Sequence, residues 1–250
     1  MIRLDGVAKT YRTRRGDPVD ALAETSLTVE ENEFVTLVGP SGCGKSTLLK
    51  LVAGLVPPTR GTIRVRDQIV SEPFPDVGFV FQQPVLLPWR SVLDNVLFSV
   101  EMLGLDSRQH RKPAGDLLEL AGLAGFETKY PHELSGGMQQ RVAICRALLP
   151  DPGLLLMDEP FGALDAMTRE EMSLELLRIW EERRKTILFV THSISEAVFL
   201  SDHVLVMSPR PGVIKTNLKI DLSRPRTPKI RGTPAYTELC QQLRDELGLL

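Results

Sequence analysis

Gly39-Pro40-Ser41-Gly42-Cys43-Gly44-Lys45-Ser46-Thr47 decides how the rest of this chain is read. The stretch fits the pattern G-x-x-x-x-G-K-[ST] in full. Just before it, Phe34-Val35-Thr36-Leu37-Val38 predicts a buried strand. Just after it, Leu48, Leu49, Leu51, Val52 and Leu55 predict the apolar face of a helix. A glycine-rich turn between a strand and a helix lets backbone N–H groups and the positive helix end wrap around phosphate oxygens. Every residue of the stretch, from Gly39 to Thr47, is therefore a candidate phosphate contact. Lys45 is expected to reach the β- and γ-phosphates of a nucleotide as a point charge, and Ser46 to hold Mg²⁺ through its hydroxyl.

Outward from that loop the pattern alternates. Ile2 and Leu4 begin a strand, Thr13 to Pro18 reads as a polar loop, and Ser26-Leu27-Thr28-Val29 is a second β-like run ending at the turn Glu30 to Glu33. Thr62 to Val65 and Val77 to Phe81 are further short strands, the latter ending at Gln82-Gln83-Pro84. From about Ser91 to Leu149 the apolar spacing is helical, broken by Gly104, Pro113, Gly125 and Pro131. Then come the strand Leu154 to Met157, a charged helix from Thr168 to Arg184, the strand Thr186 to Val190, a helix from Ser195 to Leu200 and the strand His203 to Met207. Alternating β and α segments predict an α/β fold with a mostly parallel sheet. The tail from Asp221 is rich in proline and arginine and ends in a predicted helix, Tyr236 to Leu247.

Two more stretches carry chemistry. Asp158-Glu159 follows four apolar residues, which places both carboxylates at the C-terminal end of a buried strand, where open α/β sheets bind ligands. Asp158 is expected to hold Mg²⁺, through a water in the usual arrangement, and Glu159 to act as general base on the attacking water. In Leu134-Ser135-Gly136-Gly137-Met138-Gln139-Gln140-Arg141, Ser135 reads as a helix N-cap, and the glycines permit close approach of phosphate. The chain thus carries two helix starts suited to anions, and one of them has the phosphate-loop lysine.

Composition narrows the setting. The chain has 250 residues, 42% hydrophobic and 25% charged, which suits a compact domain or one with subdomains. A net charge of -2 gives no global basic footprint for nucleic acid. Cys43, Cys145 and Cys240 are widely spaced and odd in number, so neither a disulfide framework nor a zinc site is indicated and a reducing compartment fits best. The start of the sequence lacks the apolar core of a signal peptide, and no apolar run approaches membrane-spanning length. Work at a membrane would go through a partner.

Taken together these motifs resemble the ATP-binding cassette (ABC) ATPases, over about residues 1–215. Leu134 to Arg141 is similar to the family signature, in which Ser135, Gly136, Gly137 and Gln139 of one subunit cover the ATP held by another. The resemblance implies further roles. Gln82 is similar to the Q-loop glutamine near Mg²⁺ and the γ-phosphate, Asp165 in Gly162-Ala163-Leu164-Asp165 to the D-loop aspartate, His192 to the switch histidine at the γ-phosphate, and Tyr11 to the aromatic that stacks on adenine. It also implies a P-loop, RecA-like core with an N-terminal antiparallel β subdomain and an inserted helical subdomain at about 88–150, in an ATPase domain at 1–220 followed by an extension at 221–250. Val80 to Trp89 and Val206 to Gly212 further resemble the nitrate/sulfonate/taurine group of bacterial importer ATPases. That group implies a homodimer or heterodimer of ATPase subunits on the cytoplasmic face of the inner membrane, an integral membrane permease and, indirectly, a solute-binding protein. Asn32, Cys145 and Ser193 depart from the usual glycine, alanine and aspartate; asparagine is the best non-glycine residue for a positive φ. ABC ATPases acting on DNA or the ribosome are the alternative. They carry a long coiled coil between the two motifs or two cassettes in one chain, and this sequence has neither.

Overall fold

The computed structural model describes residues 2–13 and 15–249; Arg14, in the predicted polar loop, lies outside them. The chain divides into two compact units, one of residues up to Phe74 together with those from Leu176 onward, the other Pro75–Glu175.

The first unit begins with β1 (Ile2–Arg12) and β2 (Pro18–Val29), followed by β3 (Phe34–Val38), α1 (Lys45–Val52), β4 (Arg60–Val65) and β5 (Gln68–Ile69). The second unit holds β6 (Val77–Val80), α2 (Val92–Met102), α3 (Ser107–Leu120), α4 (Gly136–Leu148) and β7 (Leu154–Asp158). Helix α5 (Ala166–Arg183) carries the chain back to the first unit, which closes with β8 (Thr186–Val190), α6 (Ile194–Leu200), β9 (His203–Met207), β10 (Ile214–Lys219) and α7 (Pro234–Leu247). β1 pairs antiparallel with β2 and with β4, the antiparallel layer expected at the N-terminus. β3 lies parallel between β8 and β9, and β10 closes that edge antiparallel to β9. In the second unit β6 and β7 are parallel.

The parallel strands read as they do because both faces are covered. All five residues of β3, β7 and β8 are buried, so a run of apolar side chains is needed rather than an alternation. Phe34 and Phe189 meet there with ring centroids 5.8 Å apart, and the buried Thr36 hydroxyl is satisfied by the Ser201 hydroxyl. Each such aromatic or aliphatic side chain contributes about 1.5–3 kcal/mol on burial.

Several local expectations change. Leu55, predicted for the apolar face of α1, lies past its C-cap Ala53 and is 43% exposed. Pro113 does not break the helical run: α3 continues through it from Ser107 to Leu120, with Ala114 and Leu118 buried on its inner face. The burial of those two side chains offsets the missing proline N–H. Strand β10 was not foreseen, because it is half-exposed with a single fully buried residue, Leu218. Asn32 does adopt a positive φ of 64°, and its N–H donates to Thr186 Oγ1 at 3.0 Å.

Candidate functional site

Strand direction places the site. Because β3, β8 and β9 are parallel, the segments after them leave one edge of the sheet together: the loop Gly39 to Gly44, the segment Thr191 to Ser193, and the turn Ser208 to Val213. Gly39, Pro40 and Ser41 share a cavity of about 400 Å³ with His192, Met207, Pro209 and the end of α7. His192 is exposed, and Tyr11 is not among the residues lining this cavity.

The loop holds its lysine inward. Lys45 is 7% exposed, and its ammonium donates to the carbonyls of Gly39 at 2.8 Å and Pro40 at 3.0 Å. Cys43 Sγ lies 3.8 Å away, and Cys43 itself is fully buried. Helix α1 starts at Lys45 with Gly44 as N-cap, at φ 109°, and no side chain caps it. A first turn without a side-chain cap suits an anionic ligand. Ser46, the second residue of that turn, and Thr47 after it follow the same register.

What stands behind the loop was missed in the sequence. A Cβ on Gly212 would sit 1.9 Å from the Cys43 carbonyl oxygen, and one on Gly44 would sit 2.7 Å from the Ala21 carbonyl. Gly212 is tied to β2 by Ala23 N–H donating to its carbonyl at 3.0 Å and by its own N–H donating to Ala21 at 3.3 Å. The phosphate loop is thus backed by β2 and by the turn after β9. Val206 to Gly212 entered the reading only as a resemblance; a structural task for Gly212 has no local sequence signal. Tyr11 faces Val19 across the β1–β2 pair, is 36% exposed, and has the Lys9 ammonium 5.0 Å from its ring centroid.

In the second unit the same logic brings Gln82 and Glu159 together. β6 and β7 run parallel, so the residues after them emerge side by side, and Gln82 Nε2 donates to Glu159 Oε2 at 3.3 Å. Asp158 closes β7 and is 4% exposed. Glu159 has φ 48°, a left-handed backbone that strains a non-glycine residue by about 1–3 kcal/mol and that clusters at functional positions. The segment after Gln82 is gripped from two helices. Gln140 of α4 donates to the Phe81 carbonyl at 3.1 Å, and Arg146 of α4 donates to Pro84 at 3.0 Å and Val85 at 2.9 Å. Fully buried Asn95 of α2 accepts from Leu87 N–H at 2.8 Å and donates to the Leu87, Arg90 and Ser91 carbonyls at 3.0 Å each. A buried polar network of this kind rigidifies what it touches. Beyond it Val85 is 59% exposed and Trp89 71% exposed.

Ser135 is the N-cap of α4, its Oγ accepting from Met138 N–H at 3.3 Å, and Gly136 and Gly137 form the first turn. Gln139 directs its amide N–H groups back to the Pro131 and Leu134 carbonyls at 2.9 and 3.3 Å. Asp165 accepts from Met167 N–H, Thr168 N–H and the Thr168 hydroxyl, which hold its carboxyl below the usual range and begin α5. Ser193, where an aspartate was expected, does an aspartate's work by capping α6 from Glu196 N–H at 3.2 Å. His203 bonds Asn217 and His110 bonds the Asp106 carbonyl, both structural partners. Burial pushes the Cys145 thiol up to about 12, leaving it inert.

Each unit offers a hard oxygen donor of the kind Mg²⁺ takes: the hydroxyl of Ser46 in the first and, separately, the carboxylate of Asp158 in the second. No cluster of three or more histidine, cysteine or acidic side chains among the described residues offers a rival metal cage.

Comparison with known proteins identifies the family. The profile of the family described as ABC transporter matches residues 22–162. The chain is 44% identical to the taurine import ATP-binding protein TauB of Rhizobium johnstonii, over 98% of this chain and 95% of that one. It is 45% identical to the nitrate import ATP-binding protein NrtD of Synechococcus elongatus, over 98% and 91%. The solved dimeric structure of the ATP-binding cassette MJ0796, in a post-hydrolysis state with ADP and Pi, superposes with a TM-score of 0.81 at 34% identity, covering 89% of this chain and all of that one. Profile, relatives and fold converge on one assignment: this chain belongs to the ABC transporter family, among its ATP-hydrolysing subunits.

Proposed function

We propose that this chain is the ATPase subunit of an importer, that two copies close on two ATP molecules, and that the cycle of closure and hydrolysis drives a separate membrane permease. The observation that carries the reading is the start of α4. It is an anion-suited helix end with glycines and a serine cap but no lysine, and so complements a phosphate loop without replacing one. ATP held at Gly39 to Thr47 of one copy is then covered by Ser135 to Gln139 of the other. The relatives that bear taurine and nitrate in their names support a small anionic or zwitterionic solute. Selection of that solute rests with the permease and a solute-binding protein. No helix among the described residues is long and apolar enough to cross a membrane, which agrees with peripheral attachment at the cytoplasmic face of the inner membrane.

Within each site the residues have separate tasks. Lys45 leaves its own loop carbonyls for the β- and γ-phosphate oxygens, and Tyr11 stacks on adenine. Ser46, Gln82 and Asp158 would be the residues to hold Mg²⁺, which would supply neutralisation of charge on the phosphates. Glu159 accepts the proton of the attacking water as its oxygen bonds to the γ-phosphorus and the bond to the β–γ bridging oxygen breaks, releasing ADP. His192 donates to the γ-phosphate oxygens, and Asp165 orders the loop that meets the other copy. Gln82 reports the γ-phosphate to the segment Gln83 to Trp89, which the grip of α2 and α4 makes a stiff lever. The exposed Val85 and Trp89 offer an apolar landing for a cytoplasmic helix of the permease.

Glu159→Gln tests the central assignment. It should retain ATP binding, lower hydrolysis by about 10²–10⁴-fold and accumulate as an ATP-bound dimer in size-exclusion chromatography. Near-normal turnover would remove Glu159 from the base role.

A further inference from the structure

The proline- and arginine-rich segment after β10 has no part in the nucleotide chemistry described above, yet it is fastened to both ends of α6. At the C-terminal end, buried Arg226 donates Nη1 to the carbonyls of Phe199 at 3.0 Å and Ser201 at 2.7 Å. Arg224 donates to the Leu200 carbonyl and to Asp202 Oδ1, both at 2.8 Å. The last carbonyls of a helix lack partners within it, and a cation there suits the negative helix end. The Arg231 guanidinium stacks 4.4 Å over the Phe199 ring. At the N-terminal end the hydroxyl of Tyr236, a buried side chain of α7, lies 2.9 Å from Ser195 Oγ and donates to the Ser195 carbonyl at 3.0 Å.

Ser195 follows His192 by three residues, and the chain between them is fixed by Ser193 capping α6 and by Ser193 N–H donating to Thr191 Oγ1 at 3.0 Å. Helix α7 then returns to the site. Its Glu246 accepts from the Thr216 hydroxyl at 2.6 Å, and Glu246, Leu247 and Leu249 line the same cavity as Ser41 and His192. A purely structural tail would need neither the contact three residues from His192 nor the return to that cavity.

We infer that the segment 221–249 is a positioning element for His192: it clamps α6 at both ends and so sets the imidazole against the γ-phosphate, with Tyr236 as the positioning residue nearest the histidine. This rests on the reading of His192 as a γ-phosphate contact. A clamp of this kind acts on the reacting geometry rather than on nucleotide affinity. Its loss therefore appears in kcat and not in KM.

The test is steady-state ATP hydrolysis by the purified chain carrying Tyr236→Phe, His192→Ala or both, with the thermal midpoint of each. Tyr236→Phe removes one buried hydrogen-bonded hydroxyl, so kcat should fall about two- to tenfold with KM for ATP unchanged, while the thermal midpoint falls by only about 2–4 °C. In the His192→Ala background the same substitution should have almost no further effect, since coupled residues are not additive. Ser195→Ala, which deletes the facing hydroxyl, should give the same kcat loss in smaller measure. An undiminished loss from Tyr236→Phe in the His192→Ala background overturns the clamp while leaving His192 in place. Unchanged kcat for Tyr236→Phe, or a kcat loss that vanishes when each variant is assayed well below its thermal midpoint, overturns it too. Normal turnover by His192→Ala alone would instead strike the histidine's role, and the clamp with it.

Discussion

The starts of α1 and α4, the two helix ends proposed above to meet the phosphates of ATP, are built in opposite ways. At α1 no side chain caps the first turn, Gly44 is the N-cap, and Lys45 is tucked against the loop carbonyls. At α4 Ser135 already accepts from Met138 N–H, and no lysine follows. The backing differs as well. Gly212 and Ala21 press on the phosphate loop from behind, whereas at α4 a Cβ on Gly136 would meet nothing within 4 Å and one on Gly137 would meet the Ala163 carbonyl only at 3.2 Å. The first is a rigid cradle able to hold a phosphate alone. The second is a pre-capped, open surface, suited to covering a phosphate that something else holds.

The largest expected effect falls on the lysine. Lys45→Ala should lower ATP hydrolysis by about 10²–10³-fold, as removal of a principal charge-stabilising donor does. Mixed dimers sharpen the comparison by pairing it with Ser135→Arg. One lesion in each subunit leaves one clean site if the two helix ends meet across the interface, whereas both lesions in one subunit damage each site once. The first arrangement should therefore hydrolyse ATP much faster. The reverse order, with the second arrangement faster, would mean that each subunit completes its own site, and equal rates would mean that the two helix ends do not form a shared site at all.

Gly212→Ala is expected to rank next. The added methyl cannot share space with the Cys43 carbonyl, and overpacking of this sort costs about 1–3 kcal/mol. ATP titration should show affinity weakened by about tenfold or more if the strain is relieved by moving the loop. Gly136→Ala should leave the folded subunit and its ATP affinity almost untouched, within about 0.5 kcal/mol. Similar behaviour of the two variants would break the contrast between a backed loop and an open one.

The smallest effect concerns the cap itself. Ser135→Ala removes the side-chain acceptor at α4 and should lower stability by about 1 kcal/mol. For a chain of this size that is a fall of about 2–4 °C in the thermal midpoint without nucleotide. Ser135→Asp should restore the midpoint, because aspartate caps as well as serine. It should not restore hydrolysis, since a carboxylate there repels the phosphate it must cover. Recovery of both would leave Ser135 as a cap and nothing more.

Much of this was legible in the chain. The strands β3, β8 and β9 fall close to where their apolar runs begin and end, because a strand covered on both faces is mostly apolar, with a satisfied hydroxyl such as that of Thr36 as the exception. Gly39 to Thr47, Ser135 to Gln139 and Asp158-Glu159 are contiguous stretches whose chemistry depends on near neighbours, so their place at strand ends and helix starts follows from local pattern. Gln82 and Glu159 were singled out separately, and their pairing was not foreseen; β6 and β7 make it a consequence of two parallel strands.

Tertiary structure decided the rest. Gly212 lies 169 positions beyond Cys43 in the sequence and shows no local sign that it must lack a side chain; contact with the Cys43 carbonyl imposes it. The left-handed φ of Glu159 runs against its residue preference and has no sign in the neighbouring sequence. Asn95, Gln140 and Arg146 look like ordinary helical polar residues until the carbonyls of Phe81 to Ser91 lie within their reach. Arg226 and Tyr236 belong to a tail read as a proline- and arginine-rich extension ending in a helix, with no task for either residue, and α6 gives them their partners. Local sequence determines which segments form strands and helices and which loops can hold phosphate, because those properties depend on residues a few positions apart. Which groups brace those loops is a question of long-range proximity, and proximity exists only once the chain has folded.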